Sequence, residues 1–379
     1  MLTYKQIKKI NHEGKLFDYI TSEENVLLAY KQTQKGSPKH KIPAIRFRQS
    51  ETTNLAELAQ SVKDGTWKPR GYYRFEIHDP KHRIIFAPAY EDKIVHHMIY
   101  QVLRELYEPK FIYDSYSCIR GKGNQRAVER LQQHYKVAKA TMEDPHLVKI
   151  DIKKFFPSIP RCVLKRIYAQ DITCKNTLAL VYEIIDNSPK DIGPTLGCVT
   201  SQLSANVLMN KFDHFAKRAL KIKHYLRYAD DIFIIGDGRV EAQNTLNKCK
   251  EYLNTELLLS FSSGKCYTQK LGDSILGLGY KVGNSIRMKS FNKKRVLKRL
   301  SKYIEDPSRN NRNSLMAANS YISLCTDMGF IDKHFSGTDL YDLLFNTNTK
   351  VGTLRKCRKV YLKRGWPPRG LLQQHSGLC

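Results

Sequence analysis

The stretch Tyr225-Leu226-Arg227-Tyr228-Ala229-Asp230-Asp231-Ile232-Phe233-Ile234-Ile235 constrains this chain more than any other. Two short apolar runs flank an Ala-Asp-Asp step, the pattern of two strands turning tightly on polar residues. Alternate side chains of a strand share a face, so Leu226, Tyr228 and Asp230 are expected on one side and Asp231 on the other. A carboxylate at the tip of a buried hairpin is costly unless it meets a cation. An Asx turn capping an ordinary hairpin is the competing reading, because Asp is a common turn residue.

A second carboxylate upstream decides between them. His146-Leu147-Val148-Lys149-Ile150-Asp151-Ile152 is a β-rich run carrying Asp151 near its end, followed by Lys153-Lys154-Phe155-Phe156. A strand ending in Asp and a hairpin turning on Asp-Asp are what a two-metal phosphoryl-transfer site needs. Mg²⁺ is a hard cation that takes one or two carboxylates together with substrate phosphates.

Charge points to the same class of partner. The chain has 379 residues and a formal net charge of +28, an excess that calls for a polyanion, with nucleic acid the first choice. No apolar run reaches the roughly eighteen residues of a membrane span, and no long amphipathic helix has a clean basic face suited to a membrane surface. Met1–Lys9 lacks the apolar centre of a secretory signal. The nine cysteines form no CxxC pair, which suggests reduced thiols in a cytoplasmic protein.

Residues 1–40 carry no assignable chemistry. Leu55, Leu58, Ala59 and Val62 recur at helical spacing and read as core. Tyr72–Phe86 reads as a hairpin turned at Asp79-Pro80-Lys81, and a helix then runs from Tyr90 towards Leu106. His96 and His97 are adjacent on it and cannot share a face as ligands, so they are expected in packing or on the template side. Ser117–Gln125 leads into a helix with Ala127, Val128, Leu131 and Tyr135 inward. Its Arg120-Gly121-Lys122-Gly123 turn lets backbone approach phosphates, making Arg120, Lys122 and Arg83 candidates for an incoming triphosphate.

Residues 163–190 read as a mostly helical insertion. Gly193–Gln202 then leads into a helix with Leu203, Val207, Leu208, Phe212 and Phe215 inward, for which Ser201 suits the N-cap. Residues 240–257 form an amphipathic helix, and Ile275–Val282 a small β element. Beyond residue 283 the chain is polar, helical and basic. Lys350, Arg355, Lys356, Arg358, Lys359, Lys363 and Arg364, interleaved with Tyr361 and Trp366, suit RNA, a solvated tail being the plainer alternative.

The order of these pieces resembles a reverse transcriptase over roughly residues 45–285, and in particular the reverse transcriptases of diversity-generating retroelements. Asp151 and Tyr-Ala-Asp-Asp look like motifs A and C of the palm. Leu196-Gly197-Cys198-Val199-Thr200-Ser201-Gln202 looks like that family's motif B, with Gln after Ser where other reverse transcriptases have Pro. Tyr113–Gly123 resembles its fingers segment, and Pro80-Lys81-His82-Arg83 with Asp92–His97 its N-terminal motif.

The resemblance implies an α+β right-hand polymerase fold. It places an N-terminal extension at 1–45, fingers at 46–145, palm at 146–162 and 193–282, an insertion at 163–192, and a helical thumb with basic extension at 283–379. It further implies two Mg²⁺ ions, with Mn²⁺ as substitute, on Asp151, Asp230, Asp231 and the Ile152 carbonyl. Lys265 would act on the leaving pyrophosphate, and Phe156 would be the steric gate against ribose. Leu196, Gly197, Ser201 and Gln202 would flank the nascent base pair. The implied job is copying a template-repeat RNA into cDNA from deoxynucleoside triphosphates, with errors opposite adenine, aided by a small basic accessory variability protein. The rivals are a group II intron, retron or antiphage reverse transcriptase, and a non-catalytic polymerase-like RNA-binding protein.

Overall fold

Apolar residues at helical spacing build the N-terminal third. Five helices come first: α1 (Tyr4–His12), α2 (Leu16–Ile20), α3 (Glu23–Thr33), α4 (Ile42–Gln49) and α5 (Glu51–Lys63). Ser22 caps α3 by accepting the Asn25 N–H at 3.4 Å. On α5, Leu55, Leu58 and Val62 form the buried stripe that their spacing predicts. The computed structural model describes residues 2–35, 40–78, 82–189, 193–306, 312–322, 324, 325 and 333.

The expected hairpin is β1 (Tyr72–Ile77) against β2 (Arg83–Pro88), antiparallel, with Tyr72 opposite Pro88 and Ile77 opposite Arg83. Its turn at residues 79–81 lies outside the described residues. Helix α6 (Tyr90–Tyr107) follows, burying Ile94, Val95, Met98, Ile99, Val102 and Leu106. It packs against α1, α2 and α3. Asn25 and Gln101 tie α3 to α6 through buried hydrogen bonds, Asn25 Nδ2 to the Met98 carbonyl at 3.0 Å and Gln101 Nε2 to the Asn25 carbonyl at 2.8 Å.

Then come α7 (Asn124–Thr141), β3 (Pro145–Asp151), α8 (Phe155–Ser158), α9 (Arg161–Asp171), α10 (Lys175–Asp186), α11 (Val199–His214), β4 (His224–Tyr228), β5 (Asp231–Asp237) and α12 (Arg239–Thr255). The chain continues through β6 (Tyr267–Lys270), β7 (Ser274–Gly277), β8 (Tyr280–Gly283), β9 (Ile286–Met288), α13 (Ser290–Glu305) and α14 (Arg312–Ile322). Strands hydrogen-bond in the order β4-β5-β3-β6, and β7-β8-β9 form a separate antiparallel sheet.

Compactness divides the chain in two. One unit holds Met1–Gly123, Val148–Ile234 and Val240–Thr268; the other holds Asn124–Leu147, Ile235–Arg239 and Gln269–Cys379. The first has a continuous apolar core running from Ile7 to Cys266. In the second, α7 packs on β8 and α13 on α14. These units cut across the domain boundaries drawn from sequence, since α7 and the small β element group with the helices after residue 283. The basic run Lys350, Arg355, Lys356, Arg358, Lys359, Lys363 and Arg364 lies outside the described residues.

Helix α11 corrects one expectation. Its N-cap is Cys198, extended at φ −102° and ψ 138°, so Ser201 is the third residue of the helix and is buried. The Leu196-Gly197 turn, with Gly197 at φ +121°, delivers the chain into helical geometry earlier than the Ser-Gln pair suggested. Leu203, Val207, Leu208 and Phe212 do face inward. Phe215 falls in the wider turn after the helix and stacks on Tyr252 at 4.1 Å.

Candidate active site

Every residue of this site lies in the first unit. Strands β4 and β5 meet in a turn at Ala229-Asp230, and Ala229 adopts φ +54°. That left-handed geometry costs about 1–2 kcal/mol for any residue with a Cβ. The alternation predicted for Leu226, Tyr228 and Asp230 stops at Tyr228, because Asp230 belongs to the turn. Tyr225, Leu226 and Arg227 are all inaccessible to solvent, so β4 is buried on both faces.

Arg227 organises what lies behind the turn. Its guanidinium bonds both carboxylate oxygens of Asp213 on α11, at 2.8 and 2.7 Å. It also reaches Asn206 Oδ1 at 3.1 Å, Ser115 Oγ at 2.8 Å and the Ala229 carbonyl at 3.2 Å. Its backbone pairs with the 114–116 segment, through Arg227 N–H to the Asp114 carbonyl and Tyr116 N–H to the Arg227 carbonyl. Buried charge is tolerated when every donor finds an acceptor, and this guanidinium meets that condition. Sequence reading missed the pair. Its signal was a lone Arg inside a strand of otherwise buried residues.

Asp151 ends β3 next to this turn. Its Oδ1 accepts from Ser262 Oγ at 3.0 Å and from Lys265 Nζ at 3.3 Å. Lys265 itself is exposed. Ile152 buries its side chain and forms an isolated antiparallel bridge with Phe261. The flanking bonds, Lys153 N–H to the Ser260 carbonyl and Ser262 N–H to the Asp151 carbonyl, turn the Ile152 carbonyl away from Phe261.

The Asp230 carboxyl is pushed above the usual carboxylate range, first by burial, then by the charges of Asp231 and Asp151. Crowded carboxylates of this kind fit a divalent cation, which would relieve both penalties. Asp231 is paired differently. Its Oδ1 is gripped by the ammonium of Lys149, which is almost fully buried on β3 and lies 4.0 Å over the Phe233 ring.

Among the described residues, the three His, Cys, Asp or Glu side chains that bring ligand atoms within 4.8 Å of one another are Glu76, His78 and His82, not the aspartates. That trio is exposed, and Glu76 is already held by Arg74 at 2.6 Å and His82 at 2.8 Å. It reads as an ion-paired surface cluster.

The loop before α11 is wedged against two neighbours. A Cβ at Gly193 would stand 2.3 Å from the Phe156 carbonyl, and one at Gly197 would stand 2.8 Å from the Phe86 carbonyl on β2. The Leu196 carbonyl accepts from Phe86 N–H at 2.9 Å. The structure thus brings Leu196 and Gly197 to β2 of the hairpin, and Gly193 to α8, which carries Phe156. Phe155 is buried and Phe156 half-buried, their rings 5.4 Å apart. Gln202 is exposed on α11.

The three basic candidates divide. Arg83 is exposed at the start of β2. Arg120 is exposed and pairs with Glu105 at 3.8 Å. Lys122 does not offer a free cation. Its ammonium donates to the carbonyls of Tyr113 at 2.6 Å, Ser115 at 2.8 Å and Ile112 at 3.3 Å, between the Tyr113 and Tyr116 rings. Expecting Lys122 to meet a triphosphate is corrected on that ground: three acceptors take its three donors. His96 is buried, its Nδ1 2.7 Å from Thr200 Oγ1 on α11, and serves packing.

The sequence model of a family described as reverse transcriptase (RNA-dependent DNA polymerase) matches residues 77–282, just over half of the chain. The group II intron-encoded protein LtrA of Lactococcus lactis subsp. cremoris, and that of its strain MG1363, are each 22% identical over 222 residues. The match covers 55% of this chain and 36% of theirs, so the chain spans about a third of the curated relatives' length. Among solved structures, telomerase from Candida albicans in complex with the TWJ fragment of telomeric RNA is 12% identical with a TM-score of 0.44, over 89% of this chain and 69% of that one.

Proposed function

The chain belongs to the reverse transcriptase (RNA-dependent DNA polymerase) family, and from that membership we propose that it copies RNA into DNA at Asp151, Asp230 and Asp231. Its fold is the right-hand polymerase fold of that family, mixed helix and antiparallel sheet. The observation that carries the reading is the Asp230 carboxyl, destabilised as an anion by burial and by two neighbouring carboxylates at a strand turn.

Asp151 and Asp230, with the Ile152 carbonyl, would hold two Mg²⁺ ions, or Mn²⁺ in their place. Such ions activate the primer 3′-hydroxyl and neutralise the triphosphate. Lys265, whose ammonium lies 3.3 Å from Asp151, would hold a proton for the leaving pyrophosphate. Phe156 would exclude a ribose 2′-hydroxyl. Arg83 and Arg120 would screen the phosphates of the incoming deoxynucleotide. Leu196, Gly197, Ser201 and Gln202 would line the nascent base pair, with Ser201 acting from within the first turn of α11.

Within the family we propose the diversity-generating type, working with a template-repeat RNA and a small basic, oligomeric accessory protein. The Leu196–Gln202 string supports it, because Leu at 196 cannot hydrogen-bond a nucleotide. Losing one such contact weakens discrimination by about 1 kcal/mol. A group II intron-encoded enzyme is the second reading, favoured by the 22% identity to LtrA.

Primer extension on an RNA template, followed by cDNA sequencing, tests both levels. DNA synthesis that Asp151→Ala abolishes supports the polymerase; synthesis surviving it overturns the site. Errors concentrated at template adenines, and fewer in Leu196→Gln, support the diversity-generating type. Errors that are rare or spread evenly over the four bases leave the intron-type reading.

A further inference from the structure

Lys149 is a buried lysine that the reaction as described does not use. It stands two residues before Asp151 on β3, so the two side chains share a face of the sheet. Asp231 and Phe233 stand two residues apart on the neighbouring strand β5. The Lys149 ammonium closes this square, gripping Asp231 Oδ1, lying 4.0 Å over the Phe233 ring and reaching the Ile150 carbonyl at 3.5 Å. A lysine stripped of water needs such partners, and among the described residues Asp231 is the carboxylate it pairs with.

The same contact disposes of a lone pair and a charge on Asp231. Of the three aspartates, Asp151 and Asp230 then remain to bind cations, and the site's net charge falls from three negative to two. Asp151 has Ser262 and the exposed Lys265 as partners, which solvent and substrate can displace. The Lys149 ammonium is buried against Phe233 while the Asp231 side chain is 35% exposed, so the lysine, unlike Lys265, has no route to solvent in exchange for its carboxylate.

We infer that Lys149 is a positioning residue that withholds Asp231 from the metal set and limits the nucleotide-free site to two carboxylates. The inference rests on the polymerase reading above and adds a role to a side chain outside it.

Mn²⁺ binding to the nucleotide-free protein, followed by electron paramagnetic resonance of the free ion, reads this without any turnover. Lys149→Met keeps the length and the packing on Phe233 but releases Asp231. It is expected to tighten Mn²⁺ binding on the order of tenfold, since a fixed positive charge a few ångströms away is gone. Lys149→Arg should stay within about twofold of the wild type, because the charge is kept.

The decisive variant is Lys149→Met with Asp231→Asn. It removes a neutral pair, leaves no unmatched buried charge, and should return Mn²⁺ affinity to within about twofold of the wild type. A double variant weaker by tenfold or more would make Asp231 a ligand and overturn the proposal. So would a Lys149→Met protein that melts lower but binds Mn²⁺ as the wild type does, which is the behaviour of a purely structural lysine. Asp151→Asn separates the two readings: if it leaves Mn²⁺ binding unchanged, the metal site itself is wrong, whatever Lys149 does.

Discussion

The guanidinium of Arg227 grips both carboxylate oxygens of Asp213, at 2.8 Å from Nε and 2.7 Å from Nη2, with both side chains closed to solvent. This pair fixes the turn that carries Asp230, because the same guanidinium holds the Ala229 carbonyl. Tyr225 Oη adds a bond to Asp213 at 2.5 Å.

Removing one member strands a buried charge. Arg227→Met is expected to cost about 3–5 kcal/mol of unfolding free energy and to lower polymerase activity. Arg227→Met with Asp213→Leu should cost clearly less than the sum of the single changes. Denaturant melts of the three variants check this, and strict additivity would count against the network.

The carboxylates of the site act through charge, not through packing. Asp230→Asn should abolish DNA synthesis while leaving the melting temperature equal to or above that of the wild type. Burial and two neighbouring anions oppose its ionised form, so neutralising it relieves repulsion. A large drop in melting temperature together with lost activity would move Asp230 from chemistry to structure.

Gly197 combines a left-handed φ of +121° with a close approach to Phe86 and Ile85 of the fingers hairpin. Gly197→Ala is therefore expected to cost about 1–3 kcal/mol and to raise KM for deoxynucleotides more than it lowers kcat. Steady-state extension kinetics beside a thermal melt would show it. An unperturbed variant would mean that the loop adjusts at no cost.

Phe156→Ala is expected to admit ribonucleotides. Phe155 is buried in the core, while Phe156 packs against it half-buried, so the proposed gate and a packing role make different predictions. Extension with ribonucleotides alone should rise at least severalfold; no rise assigns Phe156 to packing.

His96 and His97 of helix α6 should make stability fall on acidification. Burial lowers His96 from 6.5 to about 3 and His97 from 6.5 to about 4. Between pH 6.5 and about 4 the unfolded chain binds protons at these rings that the folded chain refuses, so stability declines as pH falls. Asp92 acts oppositely: burial raises it from 3.8 to about 6, so the folded chain takes its proton first and gains stability over that window. Glu108 and Asp230 are raised likewise and act with Asp92. The share of His96 is read from melting temperatures at pH 7 and pH 5, where His96→Gln should lose less stability on acidification than the wild type.

The sequence alone determined most of the elements and where the aspartates stand on them. Short apolar runs around Asp151 and Asp230, and a period of 3.6 along α5, α6, α7 and α11, are local properties legible without the fold. Tyr-Ala-Asp-Asp between apolar runs was legible because a costly carboxylate in such a place needs a cation. Tertiary structure alone decided the partners. Lys149 and Asp231 are far apart in the chain, as are Arg227 and Ser115, and Lys122 is captured by carbonyls of its own loop. No periodicity encodes which buried cation meets which anion, because that depends on how strands and helices approach in space. The same holds for Ser201, which looked like a helix cap until the turn at Gly197 placed the helix start at Val199. A local pattern states what a residue needs; only packing states what satisfies it.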